Sequence, residues 1–397
     1  MICVYVHALA ATGVVRNAGL IAADLAARGH EVQLVTALPG GESPPGVAHH
    51  ALLPLAHRSR LKEKAQAAMA LRRHLRAVGP AILLSAGNHG HGTAWAGSHG
   101  VPGVKRVYRI SNDIMRQVPH APSGGLKRWV RSVMARLIAA DAAHLVLVSP
   151  TLMGTPAFAG AARTGRLSVI ANGIDAATAR GRVGNETPHP WFEDPVPVLL
   201  AIGRLAPQKN FDTLLRAFAM LRKQRPARLI ILGGSRDDAR ARLMVDAREL
   251  GIDEDMLLPG TVGNVFPWLA RADAFVLPSW WEGSANVLLE AMAVDAPCIS
   301  SRSAGNAAQL LGHGRYGVLV DPADVQEMAA AMARQIDPTS RIRPGDQINC
   351  FAMESVSAAW AGLVDNLLAG RIGEAVADRL TRVAGGKGDE TSGFVPH

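Results

Sequence analysis

One pattern constrains this chain more than any other. Short, nearly uninterrupted apolar runs alternate with amphipathic stretches, and the alternation occurs twice, on either side of a Pro- and Gly-rich break. ICVYVHAL, EVQLVTA, AILLSA, VKRVYRI and HLVLVS read as strands in the first half; VLLAIGRL, RLIILGG, AFVLPS and PCISS do so in the second. A strand that is apolar at consecutive positions has to be covered on both faces, as in a parallel sheet. The stretches between supply the covering helices: RNAGLIAADLAARGH, which ends at Gly29, then FDTLLRAFAMLRKQ and SANVLLEAMAV. The expected fold class is α/β, with two doubly wound domains facing across a cleft. The break at residues 181–197 (GRVGNETPHPWFEDPVP) reads as a linker and sets the expected domains at 1–182 and 183–370. The last helix, SVSAAWAGLVDNLL, is free to pack on either domain, and residues 385–397 read as a disordered tail.

Composition narrows the setting. Of 397 residues, 48% are apolar and 19% charged, which excludes a mostly disordered or fibrous chain. No apolar run reaches the roughly 18 residues of a membrane span. MICVYVHALA lacks the basic start and cleavage site of a secretion signal. Cys3, Cys298 and Cys350 stand far apart in no metal-ligand spacing, so the expected location is a reducing cytoplasm.

Charge is distributed unevenly. Residues 1–180 hold 20 Lys and Arg against 7 Asp and Glu, a net of +13 where the whole chain carries +9. A basic first half points to an anionic partner: a membrane surface, a phosphorylated substrate or nucleic acid. Aromatics are only 5%, and no nucleic-acid-binding motif is present, so nucleic acid is not expected. In LKRWVRSVMARLIAA, Lys127, Arg128, Arg131 and Arg136 flank Trp129, Val130, Val133, Met134 and Leu137. Arg58, Arg60, Lys62, Lys64, Arg72, Arg73 and Arg76 form a second basic stretch. Both read either as solvated surface helices or as a face that docks on anionic lipid, at roughly 1 kcal/mol per cation. The charge asymmetry favours docking at the inner face of a membrane.

Two elements of the second half carry chemistry. In GRLAPQKNFDTLL, Gly203 permits a sharp turn at a strand end, and Arg204 and Lys209 follow before a helix. Two fixed cations there suit a diphosphate leaving group without a metal; equally, both are ordinary solvated cations. In SWWEGSANVLLEAMAV, Glu282 follows a strand, and Gly283 and Ser284 open a helix with Ser284 as N-cap. Free N–H groups at such a helix start receive anions. Glu290, about two turns into that helix, suits a ribose diol or is a paired helical glutamate. Weaker signals are Asp253-Glu254-Asp255, which reads as a solvated turn, and His89, His91 and His99, whose spacing is not that of a zinc site. His89 follows a strand and is an acceptor-side candidate.

Together these motifs resemble the retaining nucleotide-sugar transferases of glycosyltransferase family 4, the group 1 glycosyl transferases. The resemblance runs from Pro197 to Val320 and includes GRLAPQKN, LPGTVGNVFPWLARADAFVLPS, the two glutamates with seven residues between them, and GRYGVLV. The first half is similar only through GLIAADLAARGHEVQLVT and VIANGID. The resemblance implies a GT-B fold, two Rossmann-like domains, the first for the acceptor and the second for the nucleotide-sugar donor. It implies that Gly203, Arg204 and Lys209 serve the donor diphosphate, with Glu282 near sugar and phosphate. Gly283, Ser284, Ala285 and Asn286 would supply backbone contacts, and Glu290 the ribose carboxylate. Arg204, Lys209 and Glu282 are the catalytic candidates, and residues 257–263 would lie near the base. Asn172, Gly173 and Asp175 match the segment that ends the first domain.

Three positions depart from the family pattern. Ala11-Thr12-Gly13 stands where a glycine pair is common, leaving Gly13 as the phosphate-approaching residue. Ser111, Asn112 and Asp113 stand where many members have a histidine, so Asn112 and Asp113 are acceptor-side candidates. Gln309 replaces a glutamate. The implied reaction is transfer with retention, without metal or cofactor, from a UDP-sugar to a glycan or lipid-linked acceptor. A nucleotide-sugar epimerase and a silent sugar-nucleotide-binding subunit are the competing classes.

Overall fold

The computed structural model describes residues 1–9, 13–113, 115, 124–235 and 238–371. The tail expected at 385–397 lies outside them, as do Ala11 and Thr12.

Two parallel sheets form. The first holds β1 (Ile2–Val6), β2 (Val32–Thr36), β3 (Ala48–Ala51), β4 (Ile82–Ser85), β5 (Lys105–Ile110), β6 (His144–Leu147) and β7 (Leu167–Val169), in the order 3-2-1-4-5-6-7. The second holds β8 (Val198–Ile202), β9 (Arg228–Leu232), β10 (Met256–Gly260), β11 (Ala274–Leu277), β12 (Cys298–Ser301) and β13 (Val318–Val320), in the order 10-9-8-11-12-13. The apolar runs follow from this layering. Along β1, Cys3 and Tyr5 enter one core while Ile2, Val4 and Val6 enter the core on the opposite face. Along β8, Leu199 and Ala201 face one core, and Val198 and Leu200 the other. Strand order reverses between β1 and β4 and between β8 and β11, and ligand crevices open at the carboxyl ends of strands at such points.

The edge strand β3 (AHHA) lacked the apolar signal of its neighbours, because only one of its sides is paired. The segment at 181–197 is not a free linker. Trp191 and Phe192 pack on the second core, and Arg228 covers the Trp191 ring at 5.0 Å. Ala179, ahead of the boundary expected at 182, is buried in the same core.

The last helix, Met353–Leu368, returns to the first domain. Trp360, Leu363, Val364 and Leu367 complete the core that contains Ile2, Val4 and Leu25. Lys105 of β5 donates to the Leu367 carbonyl at its end. The two chain crossings run side by side, with Ile174 N–H donating to Phe351 O at 3.0 Å and Met353 N–H to Ile174 O at 3.2 Å. Trp360 is 2% exposed, so Trp360→Ala should destabilise the first domain by about 3–5 kcal/mol. Chemical unfolding monitored within that domain checks this; an unchanged midpoint would mean that the helix is not docked there.

Candidate active site

β8 ends at Ile202, and the chain turns at Gly203, whose N–H donates to Leu232 O at 2.9 Å. The Lys209 stem lies directly over this glycine: a β-carbon at 203 would sit 2.7 Å from Lys209 Cε. A larger residue would therefore displace the lysine. Asn210, buried at φ 58°, ends the loop. Its amide donates to Pro278 O at 3.0 Å and to Pro322 O at 2.7 Å, tying the loop to the segments after β11 and β13. Gln208 Nε2 donates to Trp281 O at 2.8 Å, and Trp280 N–H returns to Gln208 O at 2.9 Å.

This stitching joins the two motifs. Lys209 Nζ donates to Glu282 Oε1 at 2.7 Å, and Ser279 Oγ donates to the same oxygen at 2.7 Å. The ion pair is largely buried, with side chains 15% and 12% exposed. Buried charges persist when every partner is satisfied, as here. Arg204 is exposed and has no ion pair among the described residues.

The helix that carries Glu290 spans Asn286–Ala293, shorter than expected. Ser284 is not its N-cap: Ala285 holds that position, and Ser284 Oγ reaches Asn286 Oδ1 at 3.3 Å. Glu290 is consequently one turn into the helix, not two. The N–H groups of Ala285 and Asn286 are already taken, by Asn306 Oδ1 at 3.0 Å and Ser284 O at 2.9 Å. Glu290 is 8% exposed, and its carboxylate is held from the other domain by Arg16 at 2.8 Å. Arg16 was missed in the sequence because a lone arginine in an alanine-rich helix carries no local signal.

Other contacts also cross the cleft. Gly283 abuts β5: a β-carbon at 283 would sit 1.9 Å from Ser111 O. Asn172 Nδ2 donates to Asn286 Oδ1 at 2.5 Å, and Asn172 Oδ1 accepts from Arg109. Arg109 is fully buried, and burial lowers its pKa to about 10, still well above neutrality. Its other anchor is Ala86 O at 3.1 Å. The visible signal was a cation inside the apolar run VKRVYRI. Gly13 lies against the Asn286 amide. The cleft between the domains has a volume of about 1090 Å³, with Arg16, Glu42, Lys209, Thr261, Glu282 and Glu290 on its walls.

The acceptor-side candidates separate. Asn112 is held through its backbone by Asn88 Nδ2 at 2.8 Å, and Asp113 Oδ1 accepts the Met115 N–H at 2.8 Å, so both shape the turn after β5. His89 is exposed at the mouth of the cleft. His91 is buried against Ser85 Oγ at 2.7 Å, and burial lowers its pKa to about 3. His99 pairs with Asp141 at 3.3 Å. Of the Asp253–Asp255 turn, Asp255 pairs with Arg222. Gln309 leaves its Oε1 buried without a partner.

Two family models cover the chain end to end. "Glycosyltransferase Family 4" matches residues 11–178 and "Glycosyl transferases group 1" matches residues 196–337. The chain belongs to the family 4, group 1 glycosyltransferases. Among similar glycosyltransferases is a D-inositol 3-phosphate glycosyltransferase of Pseudarthrobacter chlorophenolicus, 31% identical over 49% of this chain and 47% of the relative. Another is the lipopolysaccharide core biosynthesis glycosyltransferase LpsE of Rhizobium meliloti, 30% identical over 42% of this chain and 49% of the relative. The matches thus span about half the length of these relatives. Anabaena HepE, solved in complex with UDP-glucose, superposes with a TM-score of 0.71 over 93% of this chain and 99% of that one, at 17% identity. That likeness is one of fold, and the fold of this glycosyltransferase is GT-B.

The Gly283 contact yields a test of closure. Gly283→Ala should keep each domain folded but hold the cleft open, because the added carbon meets a backbone carbonyl. Small-angle scattering should show a larger radius of gyration at near wild-type melting temperature. Superimposable scattering curves would count against the contact.

Proposed function

We propose that this glycosyltransferase moves a hexose, with retention, from a nucleotide-diphosphate sugar to a hydroxyl of a glycan or lipid-linked acceptor. The observation that carries the reading is the Lys209–Glu282 pair beside the unpaired Arg204, at a cleft whose wall also holds Glu290. The second domain takes the donor and the first takes the acceptor. Glu290 receives the ribose hydroxyls in place of Arg16. UDP is favoured as the carrier; HepE, of the same fold, is solved with UDP-glucose. A surface-glycan or lipid-linked acceptor is in keeping with the LpsE relative.

The chemistry is electrostatic. As the bond from the sugar's anomeric carbon to the phosphate oxygen breaks, negative charge collects on the diphosphate. Arg204 and Lys209 stabilise it in place, without reorganisation. Glu282 orients Lys209 and stands by the sugar. The acceptor oxygen bonds to the anomeric carbon from the face the phosphate leaves, and its proton passes to the departing phosphate. Lys209→Ala and Glu290→Ala should each lower turnover at least about 100-fold with the fold intact. A thermal-shift panel of nucleotides and their sugar conjugates checks the donor: ligand at 100 times its dissociation constant stabilises by about 2.7 kcal/mol. Stabilisation by UDP conjugates that survives in Glu290→Ala would overturn the ribose assignment.

The enzyme works as a peripheral protein at the inner membrane face. No helix among the described residues is long and apolar enough to cross a membrane. The docking face differs from the one read in the sequence: Met134 packs on the first core and Val133 and Leu137 are half-buried. Leu126, Trp129 and Val130 are left exposed beside Lys127 and Arg128, at the start of the helix Gly125–Asp141. Such a face combines apolar insertion with charge attraction. Binding to anionic vesicles should fall with added salt and in Trp129→Ala. Equal binding to neutral vesicles would remove the charge argument.

A further inference from the structure

On the first domain's side of the cleft, cations gather without counter-ions. β1 and β4 are neighbours in register, with Tyr5 opposite Ser85, so His7 and residues 87–89 leave the sheet side by side. His7 Nε2 bonds to Glu63 Oε1 at 3.1 Å, and Glu63 Oε2 accepts the His57 N–H at 3.0 Å. These bonds pin the first turn of the helix Arg60–Val78 against the strand ends. They also occupy Glu63, the acid of that turn, which is 6% exposed. Arg60 and Lys64 stand one turn apart on the same helix, both exposed, with no carboxylate partner among the described residues. Arg204, of the second domain, is also unpaired. His89 feels this field: partial burial first, then the charges of Lys64, His7, Arg204 and Arg60, lower its pKa.

Unpaired cations are ordinary on an open surface. Here they converge on the strand-end crevice of a doubly wound sheet, where ligands bind. Like charges held together there repel one another until an anion arrives. The departing diphosphate has its own cations in Arg204 and Lys209, so Arg60 and Lys64 serve the other substrate.

We infer that Arg60, Lys64 and His89 form a subsite for an acceptor that carries a phosphate group near its reacting hydroxyl. The inference rests on the glycosyl-transfer reading and specifies the acceptor's chemistry. Two sources present that chemistry, a soluble sugar phosphate and a diphosphate-linked lipid.

The test uses the full chain loaded with UDP, so that the donor phosphates are already in place. Glucose 1-phosphate and farnesyl diphosphate are titrated in by calorimetry, each beside its unphosphorylated counterpart, glucose and farnesol. At least one phosphorylated probe should bind about tenfold or more tightly than its counterpart. The double variant R60A/K64A should weaken that binding by about tenfold to 100-fold while still binding UDP, and K64Q alone should weaken it less. Binding of the sugar phosphate alone identifies a soluble acceptor, and binding of the prenyl diphosphate alone a lipid-linked one. Equal affinity in wild type and R60A/K64A, or no binding of either probe to UDP-loaded wild type, overturns the subsite. So does loss of probe binding in Lys209→Ala but not in R60A/K64A, which would place the probe in the donor site. Failure of UDP itself to bind would sink the donor reading. The same titrations without UDP then decide the subsite separately.

Discussion

Covering both faces of a parallel sheet forces its crossover helices to run back along the sheet, so every strand ends at the same edge. The functional geometry here descends from that constraint. Gly203 follows β8, Glu282 follows β11, His7 follows β1, His89 follows β4 and Ser111 follows β5. Two such edges, brought face to face, concentrate loop chemistry from both domains into one cleft. Neither sheet alone places a cation against both ends of a substrate.

Within the cleft, the Lys209–Glu282 pair depends on neutral groups around it. Asn210 in its left-handed turn, Gln208 and Ser279 hold the two loops together by hydrogen bonds, and Gly203 leaves room for the lysine stem. The charge is thereby fixed before any substrate arrives, which is what electrostatic stabilisation of a leaving group requires. Arg204 stays free because no carboxylate is in reach, and its charge remains available.

Domain closure is built from short-range contacts of a different kind. Gly283 meets the backbone of Ser111, Asn172 meets Asn286, and Arg16 holds Glu290. The last of these joins the expected ribose carboxylate to the opposite domain, so recognition of the nucleotide and the position of the domains are linked through one side chain. Buried Arg109 anchors the Asn172 end of this chain in the first domain's core.

The sequence by itself determined the two parallel sheets, since near-continuous apolar strands admit few other solutions, and the pairing of GRLAPQKN with the two-glutamate element. Those signals are local: each is written in consecutive residues. The helix start at Asn286 was misread because the Asn306 side chain, from a distant turn, occupies the N–H that a cap at Ser284 would have left free. The segment at 181–197 has the composition of a linker, yet Trp191 and Phe192 find a core to cover. The apolar face of the helix Gly125–Asp141 was divided by the core beneath it, which buries one part and exposes another. The roles of Arg16, Glu63 and Arg109 were decided only by the tertiary structure. A charge's partner is set by distance in space, and for these residues the partner lies tens to hundreds of positions away along the chain.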